Sequence, residues 1–447
     1  MNLMKVYHKL PAWCQTVAVS LTGLRIQLTR YGKKFDEQYL DFMNRNNWTY
    51  EQKCAYRDQQ LRKMVRHCYE TVPYYRSLFD ELHIDYRNIR TLEDLKVLPI
   101  LTKQIVKEHY DELISDQFRK KDLEEKHSSG TTGSGFWFHQ DKTSVAAVWA
   151  HVWRWYHNIG LKKGTWCGYF SARQIIPPAK KGGPCCRINY PGKQIMFSLY
   201  HMNDETYAKW LKTLNRYQPK WLQSFPSGLL PFAKYLDDNG LRLNYTPEVI
   251  TLSSESIQPS QQDYLAEIFG VYPVQNYAQS EAVASFYQMR DHKMLVDEDF
   301  SAVELIPIDE EGVCRIIGTT LTNYGMPFLR YDTEDLATWE LTEQGREILT
   351  LEGRDGDNVR LRDGGVFRNL RSFVEQPRVI ESQIVQKSLD LIEIHVVKGK
   401  DYTEADEKRL EESARQALVD RIGWKIVYVD RVRRGKNGKI KCVISEL

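Results

Sequence analysis

The hydrophobic positions between residues 165 and 252 alternate between two kinds of spacing. Short β-branched and aromatic runs, typical of buried strands, are separated by longer segments whose apolar residues recur at helical spacing. This alternation is typical of βαβ units and predicts a parallel sheet. Strands are predicted at residues 165–170, 221–225 and 249–252, with helices between them at 204–217 and 228–239.

The segments on either side of this region have different patterns. Residues 50–126 are mostly helical in periodicity, and residues 143–158, rich in Trp and Ala, predict a further helix. After about residue 303 the pattern changes to strand–turn–strand, which predicts a β-rich subdomain. Its strands are predicted at 303–307, 313–319, 336–339 and 347–351.

The C-terminal segment predicts a small α+β domain, because β-branched strands at 392–397 and 425–429 flank a charged helix at 403–420. The whole pattern therefore predicts an α/β protein. A large N-terminal domain with parallel or mixed sheets and a β-rich subdomain precedes a small, mobile C-terminal domain. We expect an N-terminal extension at residues 1–49, the large domain at 50–352 and the small domain at 353–447.

The first 35 residues are basic and contain an amphipathic helical pattern. They include six Lys or Arg and no Asp or Glu, so the segment carries +6 while the rest of the chain carries −3. Val17, Leu21, Leu24 and Leu28 fall on one face of a helix. Two interpretations are open: this face packs on the helices of residues 50–126, or the helix lies on an anionic membrane surface.

Composition excludes several classes of protein. The 447 residues are 42% hydrophobic and 27% charged, which is typical of globular chains, and the net charge of +3 gives no reason to expect nucleic-acid binding. None of the eight cysteines forms a CxxC pair, so we expect a reduced cytoplasmic protein rather than a zinc ribbon or a disulfide scaffold. No apolar run predicts a membrane-spanning helix, and no signal-peptide pattern is present.

Residues 128–135 form a loop of glycine and hydroxyl residues only, SSGTTGSG. Glycines let backbone N–H groups approach an anion closely, and hydroxyls add donors, so the loop is a candidate phosphate cradle. It is not a Walker A loop, and no clean strand precedes it as a dinucleotide-binding fingerprint requires. A flexible linker has the same composition, so the loop alone leaves both interpretations open.

Four further motifs follow the loop in order: NYAQSE at 276–281, LRYDTED at 329–335, GRDGD at 353–357 and GK at 438–439. The ordered set resembles the adenylate-forming superfamily of acyl-CoA synthetases and adenylation domains. The likeness runs from about residue 50 to residue 447 and is nearest to the phenylacetate–CoA ligases and their capsular-polysaccharide relatives. It implies that a carboxylic acid reacts with ATP to give acyl-AMP and pyrophosphate, and that a second nucleophile then displaces AMP.

The resemblance implies a nucleotide site built from separated segments. Asp335 would accept hydrogen bonds from both ribose hydroxyls, and Tyr277 would stack on adenine. Arg330 has a less fixed role, and a salt bridge within the fold is an open alternative. The other positions assigned to ATP or AMP are Ser128, Ser129, Gly130, Thr131, Thr132 and Gly133, together with Ser254, Glu255, Asn276, Ser280 and Arg354.

The resemblance also assigns two catalytic residues. Glu281 would ligate Mg²⁺, a hard cation that prefers carboxylate oxygen, and Lys439 would bridge the substrate carboxylate and the α-phosphate. At the position where relatives pivot on an aspartate, this chain has Gly356, which still permits a large backbone rotation. The implied cofactors are ATP and Mg²⁺, with coenzyme A in the case of a thiol acceptor.

The acid itself is not identified by the sequence. By their position in the family, residues 168–174, 197–201 and 225–228 would line its pocket, with Tyr200 and His201 as candidates for contact or as ordinary structural residues. The expected partners are a small carboxylic acid and, as acceptor, CoA, a separate carrier protein or a sugar; no nucleic acid is expected. The expected location is the cytoplasm, peripheral to the inner membrane face if residues 1–35 bind lipid.

Three functions are compatible with these motifs. The first is an ATP-dependent acid–thiol ligase. The second is an adenylating ligase that transfers an acyl or aminoacyl group to an amine or hydroxyl in capsule or exopolysaccharide biosynthesis. The third is a non-catalytic scaffold at a polysaccharide-assembly site, against which the phosphate loop, Glu281, Asp335 and Lys439 argue.

Overall fold

The computed structural model describes residues 3–128, 135–177, 182–310, 312–354, 358–362, 366–367, 378–418, 421–435 and 440–447. The chain divides into two compact units. The parallel-sheet unit contains Met1–Gln27, Gly160–Gln275 and Asp355–Leu447, and the antiparallel-sheet unit contains Leu28–Ile159 and Asn276–Arg354. These units do not test the division predicted from the sequence. An extension at 1–49, a large domain at 50–352 and a small domain at 353–447 therefore stay a prediction.

The parallel-sheet unit confirms the predicted βαβ alternation. Its neighbouring strands have the order β7-β6-β3-β5-β4, in which the first four run parallel and β4 pairs antiparallel with β5 at the edge. Buried aromatic side chains, Trp210 and Phe232 among them, pack its helices on these strands. The elements are β3 (Cys167–Ser171), β4 (Cys186–Asn189), β5 (Gln194–Ser198), β6 (Trp221–Ser224), β7 (Val249–Ser253), α8 (Asp204–Tyr217), α9 (Pro226–Asp238) and α10 (Pro259–Phe269).

The antiparallel-sheet unit contains the predicted strand–turn–strand region. Its strands have the order β11-β12-β13-β14-β10-β9-β8, and each neighbouring pair is antiparallel. They are β8 (Val274–Ala278), β9 (Ser285–Gln288), β10 (Met294–Val296), β11 (Ser301–Pro307), β12 (Cys314–Thr320), β13 (Tyr331–Thr342) and β14 (Gly345–Arg354). The helices of the unit are α3 (Lys33–Asn44), α4 (Tyr50–Thr71), α5 (Pro73–Glu81), α6 (Lys103–Glu108) and α7 (Lys142–Asn158).

Helix α4 begins and ends where its flanking residues can satisfy the free backbone groups. Thr49 and Gln52 form a capping box at its start. Its last turn closes on Val72, and Pro73 then opens α5 at a position where the missing N–H costs nothing. The Val72-Pro73 step is therefore a junction between two helices.

A two-stranded ribbon carries the glycine-rich loop. Strand β1 (Glu124–His127) pairs antiparallel with β2 (Trp137–Gln140). The expectation that no strand precedes the loop was wrong. The connection nevertheless joins two antiparallel strands rather than a strand and a helix, so a dinucleotide-binding fingerprint remains excluded.

The C-terminal segment forms the predicted small α+β domain. Its sheet has the order β19-β18-β17-β20, and β18 continues through a helix into the parallel strand β19. Gln261 of α10 donates its Nε2–H to the Ile380 carbonyl (2.9 Å), so this sheet contacts the rest of its unit. The elements are β15 (Val359–Arg360), β16 (Val366–Phe367), β17 (Val379–Ser388), β18 (Leu391–Lys398), α11 (Glu404–Leu418), β19 (Gly423–Tyr428) and β20 (Val443–Ser445).

The N-terminal residues form two helices, α1 (Leu3–Lys9) and α2 (Ala12–Arg30). The predicted apolar positions Val17, Leu21, Leu24 and Leu28 are all exposed. The interpretation in which this face packs on the helices of residues 50–126 is therefore wrong. No helix in the described part of the chain is both long and apolar enough to cross a membrane.

A buried ionic network lies in the core of the antiparallel-sheet unit. Arg154 of α7 donates to Asp297 (2.6 Å) and Asp299 (2.8 Å), and Arg45 also reaches Asp299 (2.7 Å). His151 contacts Asp297 as well (2.7 Å). Burial alone would raise the pKa of Asp297, but Arg154 and His151 hold it well below its ordinary value. The two aspartates thus depend on Arg45 and Arg154, because an isolated buried carboxylate is strongly unfavourable.

We expect Arg154→Met to lower the free energy of unfolding by about 3–5 kcal/mol, because two buried carboxylates lose their main counter-ion. Denaturant unfolding monitored by circular dichroism measures the change. Arg66→Met is the matched control, since Arg66 pairs with Glu70 on the surface, where water and salt screen the pair and leave it little effect on stability. Equal losses in the two variants would contradict the role assigned to Arg154.

Candidate functional site

The carboxyl ends of four parallel strands meet at one edge of the parallel-sheet unit. Ser171 and Ser198, the last residues of β3 and β5, stand opposite each other in register, and β6 and β7 run in the same direction beside them. The three segments predicted to line an acid pocket follow β3, β5 and β6, so the fold brings them together. Ligands of open α/β sheets bind at this edge.

Glu255, just beyond β7, caps the helix that follows β6. Its carboxylate accepts hydrogen bonds from the Ser227 backbone N–H and hydroxyl (both 2.9 Å) at the start of α9. Ser254 has φ = 67°, a left-handed conformation that turns the chain away from the strand. The side chain of Glu255 therefore stabilises the start of α9.

His201 is held on both sides of its ring. Its Nε2 lies 3.0 Å from the Pro177 carbonyl, and its Nδ1 lies 3.0 Å from the Ser198 hydroxyl. A carbonyl can only accept, so Nε2 carries the proton in this arrangement and Nδ1 accepts from Ser198. These contacts fix the imidazole just beyond the carboxyl end of β5. Tyr200, in the same turn (Leu199–His201), is half-buried.

Asp335 in the antiparallel-sheet unit is held by two side chains from the NYAQSE motif. The Tyr277 hydroxyl donates to its Oδ2 (2.9 Å), and Gln279 Nε2 donates to the same oxygen (2.6 Å). Gln279 also donates to the Tyr277 hydroxyl (2.7 Å). Burial and the nearby Asp335 raise the pKa of Tyr277 well above its ordinary value, so the hydroxyl stays protonated as a donor. A carboxylate offers about four acceptor positions, so these bonds orient Asp335 without exhausting it.

The ring of Tyr277 has one face covered within the protein. It stacks on Phe286 of β9, with ring centroids 4.7 Å apart and an interplanar angle of 19°. Asn276, the residue before it, lies opposite Tyr287 in the same strand pair. Tyr277 as a whole is half-buried. The predicted stacking on adenine would therefore use the face of its ring opposite Phe286.

Glu281 lies in the turn between β8 and β9 and is buried. The turn is closed by the hydrogen bond from the Ala282 N–H to the Gln279 carbonyl (3.1 Å). Gln140 at the end of β2 donates to the Ser280 carbonyl (3.0 Å), so the ribbon that carries the glycine-rich loop also contacts this turn. The turn therefore holds Ser280 and Glu281 beside that ribbon.

Ser128 closes the base of the glycine-rich loop. Its N–H donates to the Phe136 carbonyl (2.9 Å), and the Phe136 N–H donates to the Ser128 hydroxyl (3.1 Å). A Cβ on Gly135 would lie 2.3 Å from the Ser128 carbonyl, so only glycine fits there. The Ser128 side chain thus helps to form the base of the loop, a role that its composition did not predict.

Several predicted site residues lie outside the described residues: Ser129, Gly130, Thr131, Thr132, Gly133, Gly356 and Lys439. Arg354 ends β14 and stands opposite Asp335 in register. Arg330 forms the salt bridge left open by the sequence, since it pairs with both oxygens of buried Glu304 (2.9 Å each). It also donates to the Leu98 carbonyl, so its guanidinium serves the fold.

Within the described residues, no group of three or more His, Cys, Asp or Glu side chains is placed to hold a metal ion. Glu281 supplies one buried carboxylate, the kind of ligand that Mg²⁺ prefers. A magnesium ion that binds substrate phosphates needs only one or two protein carboxylates. The donor chemistry of Glu281 is therefore compatible with that mode of binding.

Sequence reasoning missed two of the residues that shape the site. Gln279 was not assigned a role, although it lies two residues after Tyr277, just beyond the end of β8. Ser227 was noted only as part of a family-like segment, although a serine just after Phe225-Pro226 is well placed to bind a carboxylate at a helix start. Spacing along the strand could have indicated Gln279, while the partner of Ser227 comes from a distant segment.

Comparisons with known proteins agree with this architecture. The family described as the CapK C-terminal domain matches residues 364–446. Protein CapK of Staphylococcus aureus is 24% identical over 458 residues, covering 99% of this chain and 99% of that protein. Phenylacetate-coenzyme A ligase of Thermus thermophilus is 24% identical over 337 residues, covering 70% of this chain and 73% of that protein.

A solved structure shares the fold over most of the chain. It is 2-hydroxyisobutyryl-CoA ligase in the postadenylation state, in complex with R3-HIB-AMP. The TM-score is 0.69 at 14% sequence identity, and the match covers 90% of this chain and 92% of that one. At this level of identity the likeness concerns the fold alone.

Proposed function

We propose that this chain, a ligase of the adenylate-forming superfamily and of its phenylacetate–CoA ligase-like branch, activates a small carboxylic acid as acyl-AMP and transfers the acyl group to CoA. The observation that carries the proposal is the arrangement of Asp335 with Tyr277 and Gln279. A carboxylate oriented by two donors of the protein itself is suited to a vicinal diol such as that of ribose. Preorganised acceptors of this kind bind without a further ordering cost.

The nucleotide site proposed here extends from Asp335 along the turn that carries Ser280 and Glu281. Arg354, beside Asp335 in register, would reach ribose or phosphate, and Asn276 lies on the same strand as Tyr277. Glu281 would hold Mg²⁺, which neutralises phosphate charge when it is bound. The contact between Gln140 and the Ser280 carbonyl supports a position of the glycine-rich loop near the same phosphates.

The phosphate loop would act through backbone N–H groups and hydroxyls of Ser129, Gly130, Thr131, Thr132 and Gly133. Its base is fixed by the paired hydrogen bonds between Ser128 and Phe136. A loop anchored at a β-ribbon presents donors to an anion while its glycines allow close approach. Such donors would stabilise the negative charge of the transferring phosphoryl group.

The acid would bind at the carboxyl edge of the parallel strands, beside residues 168–174, 197–201 and 225–228. Lys439 would stand between its carboxylate and the α-phosphate, because a flexible ammonium can neutralise two separated anions. The carboxylate oxygen would then attack the α-phosphorus, with pyrophosphate as the leaving group. In the second step the thiolate of CoA would attack the acyl carbonyl, and AMP would leave.

A second candidate acceptor is an amine or hydroxyl on a sugar or a carrier, as in capsule or exopolysaccharide biosynthesis. The observation in its favour is coverage: Protein CapK aligns with 99% of this chain, whereas phenylacetate-coenzyme A ligase aligns with 70%. The activation half-reaction is the same for both candidates. They differ only in the nucleophile that displaces AMP.

The proposal is tested by acid-dependent exchange of labelled pyrophosphate into ATP, over a panel of aryl, alkyl and amino acids. We expect exchange with at least one class of acid. Addition of CoA or of an amine to the reactive acid then shows which acceptor increases AMP release. Absence of exchange over the whole panel would contradict the proposal and favour a non-catalytic scaffold.

We expect Lys439→Ala to abolish acyl-AMP formation and to leave thioester formation from synthetic acyl-AMP largely intact. The lysine is needed only while the carboxylate and the α-phosphate share charge, and a mobile C-terminal domain would carry it away afterwards. Pyrophosphate exchange and single-turnover transfer measure the two halves separately. Lys436→Ala and Lys441→Ala are controls from the same basic segment, and equal loss in both halves would count against the assignment.

We expect Asp335→Ala to raise the KM for ATP far more than the KM for the acid. Loss of two hydrogen bonds to a charged acceptor costs roughly 3–6 kcal/mol. Tyr277→Phe removes one donor that orients Asp335 and should give a smaller effect in the same direction. Unchanged ATP binding by calorimetry in Asp335→Ala would show that Asp335 is not the ribose ligand.

A further inference from the structure

Helix α2 exposes a continuous apolar stripe, which we call the α2 stripe. Its side chains are Trp13, Val17, Leu21, Leu24 and Leu28, with exposed fractions of 71%, 50%, 63%, 44% and 73%. At about 100° per residue the five positions fall within an arc of about 80°. Exposed apolar residues are ordinary when scattered, but a contiguous stripe of this kind marks an interaction surface.

Helix α2 is fixed to the edge of the parallel-sheet unit by polar contacts and by Val19, whose side chain packs on a small buried apolar cluster. Gln15 accepts a hydrogen bond from the buried Arg187 of β4 (2.8 Å). Ser20 donates its hydroxyl to the Ile188 carbonyl (3.0 Å) and accepts from the Tyr190 N–H (3.3 Å), so it satisfies backbone groups along this edge strand. These contacts orient the helix and turn the α2 stripe away from β4.

The packing at Gly23 confirms how closely α2 approaches the strand. A Cβ at Gly23 would lie 1.9 Å from Asn189 Oδ1, so only glycine allows this contact. Protection of a sheet edge explains the polar contacts of Gln15 and Ser20 and the glycine at position 23. It does not explain five large apolar residues on the outer face, which a helix with only that role would not need.

The charge of the N-terminal segment indicates which kind of partner binds the α2 stripe. The segment up to residue 35 carries +6 and has no acid, and Lys9 and Arg25 are exposed, with Arg25 about 40° from the edge of the stripe. A second copy of this chain would bring two such basic segments together. An anionic lipid surface complements the charge and accepts the apolar side chains, and an exposed Trp is common at that interface.

We propose that the α2 stripe binds the surface of an anionic lipid bilayer, with α2 parallel to the membrane plane and its leucines in the headgroup boundary. The polar contacts with β4 hold α2 against the enzyme, so the whole parallel-sheet unit is brought to the membrane. This binding is peripheral and sensitive to salt, because neither one short stripe nor a +6 segment anchors firmly alone. The proposed membrane binding is the same whether the acyl acceptor is CoA or an amine or hydroxyl on a sugar or a carrier.

Co-sedimentation of the full chain with phosphatidylcholine vesicles, with and without phosphatidylglycerol, tests the proposal. We expect binding only when phosphatidylglycerol is present, with a loss at about 1 M salt, where charges are screened beyond about 3 Å. Leu21→Glu/Leu24→Glu should weaken binding by about tenfold or more, since it removes two apolar side chains and adds two negative charges. Leu341→Glu/Leu349→Glu makes the same change at two exposed leucines outside α2 and should bind as the unmodified chain does.

Fluorescence gives a second readout that does not depend on the glutamate variants. Vesicles with brominated acyl chains should quench part of the tryptophan emission, and Trp13→Phe should remove that quenched part while the other ten tryptophans remain. Pyrophosphate exchange and the melting temperature should be unchanged in both Leu→Glu double variants, since all four leucines are exposed.

Three results would overturn the proposal. They are absence of vesicle binding at low salt, equal loss of binding in the two double variants, and a concentration-dependent dimer that Leu21→Glu/Leu24→Glu dissociates. The last would assign the α2 stripe to a second copy of the chain.

Discussion

Three consecutive acids, Asp297-Glu298-Asp299, organise the antiparallel-sheet unit. Arg45 and Arg154 neutralise the two aspartates, while Arg57 (2.7 Å) and Arg346 (2.6 Å) neutralise Glu298. Because buried carboxylates tolerate no loss of their counter-ions, α3, α4, α7 and β14 must meet at this segment. The same helix α7 reaches β9 through Trp155, whose indole N–H donates to the Gln288 carbonyl (3.0 Å). The charge network therefore also holds the strand beside Tyr277, and with it the candidate nucleotide site.

The candidate site follows from that rigidity. Tyr277 and Gln279 come from β8 and its following turn, Asp335 comes from β13, and their hydrogen bonds orient the carboxylate. In the parallel-sheet unit, Glu255 has a different task, because it is committed to the start of α9. Two carboxylates that look alike in the sequence thus have different surroundings. One is oriented as an acceptor, and the other stabilises a helix.

Helix α2 combines two opposite requirements. Its inner side meets the edge of the parallel-sheet unit through Gln15 and Ser20, through the close approach at Gly23 and through the apolar side chain of Val19. The α2 stripe is left on the outer face, where its side chains are exposed. If the α2 stripe binds lipid, activation of the acid takes place next to the membrane, where a lipid-linked acceptor would be within reach.

The sequence by itself determined the order of elements, because hydrophobic periodicity and capping are local properties; α8 begins and ends at the predicted residues. Its ordered motifs also indicated the superfamily and the positions of Asp335 and Glu281. It could not assign Arg330 to Glu304 or Glu255 to Ser227, because those partners lie 26 and 28 residues apart along the chain. Nor could it decide which face of α2 is buried. Periodicity shows that a helix has an apolar face, but only the tertiary structure shows that the α2 stripe is left exposed and that the other side packs, since Gln15 pairs with the buried Arg187 and Gly23 lets the helix approach β4 closely.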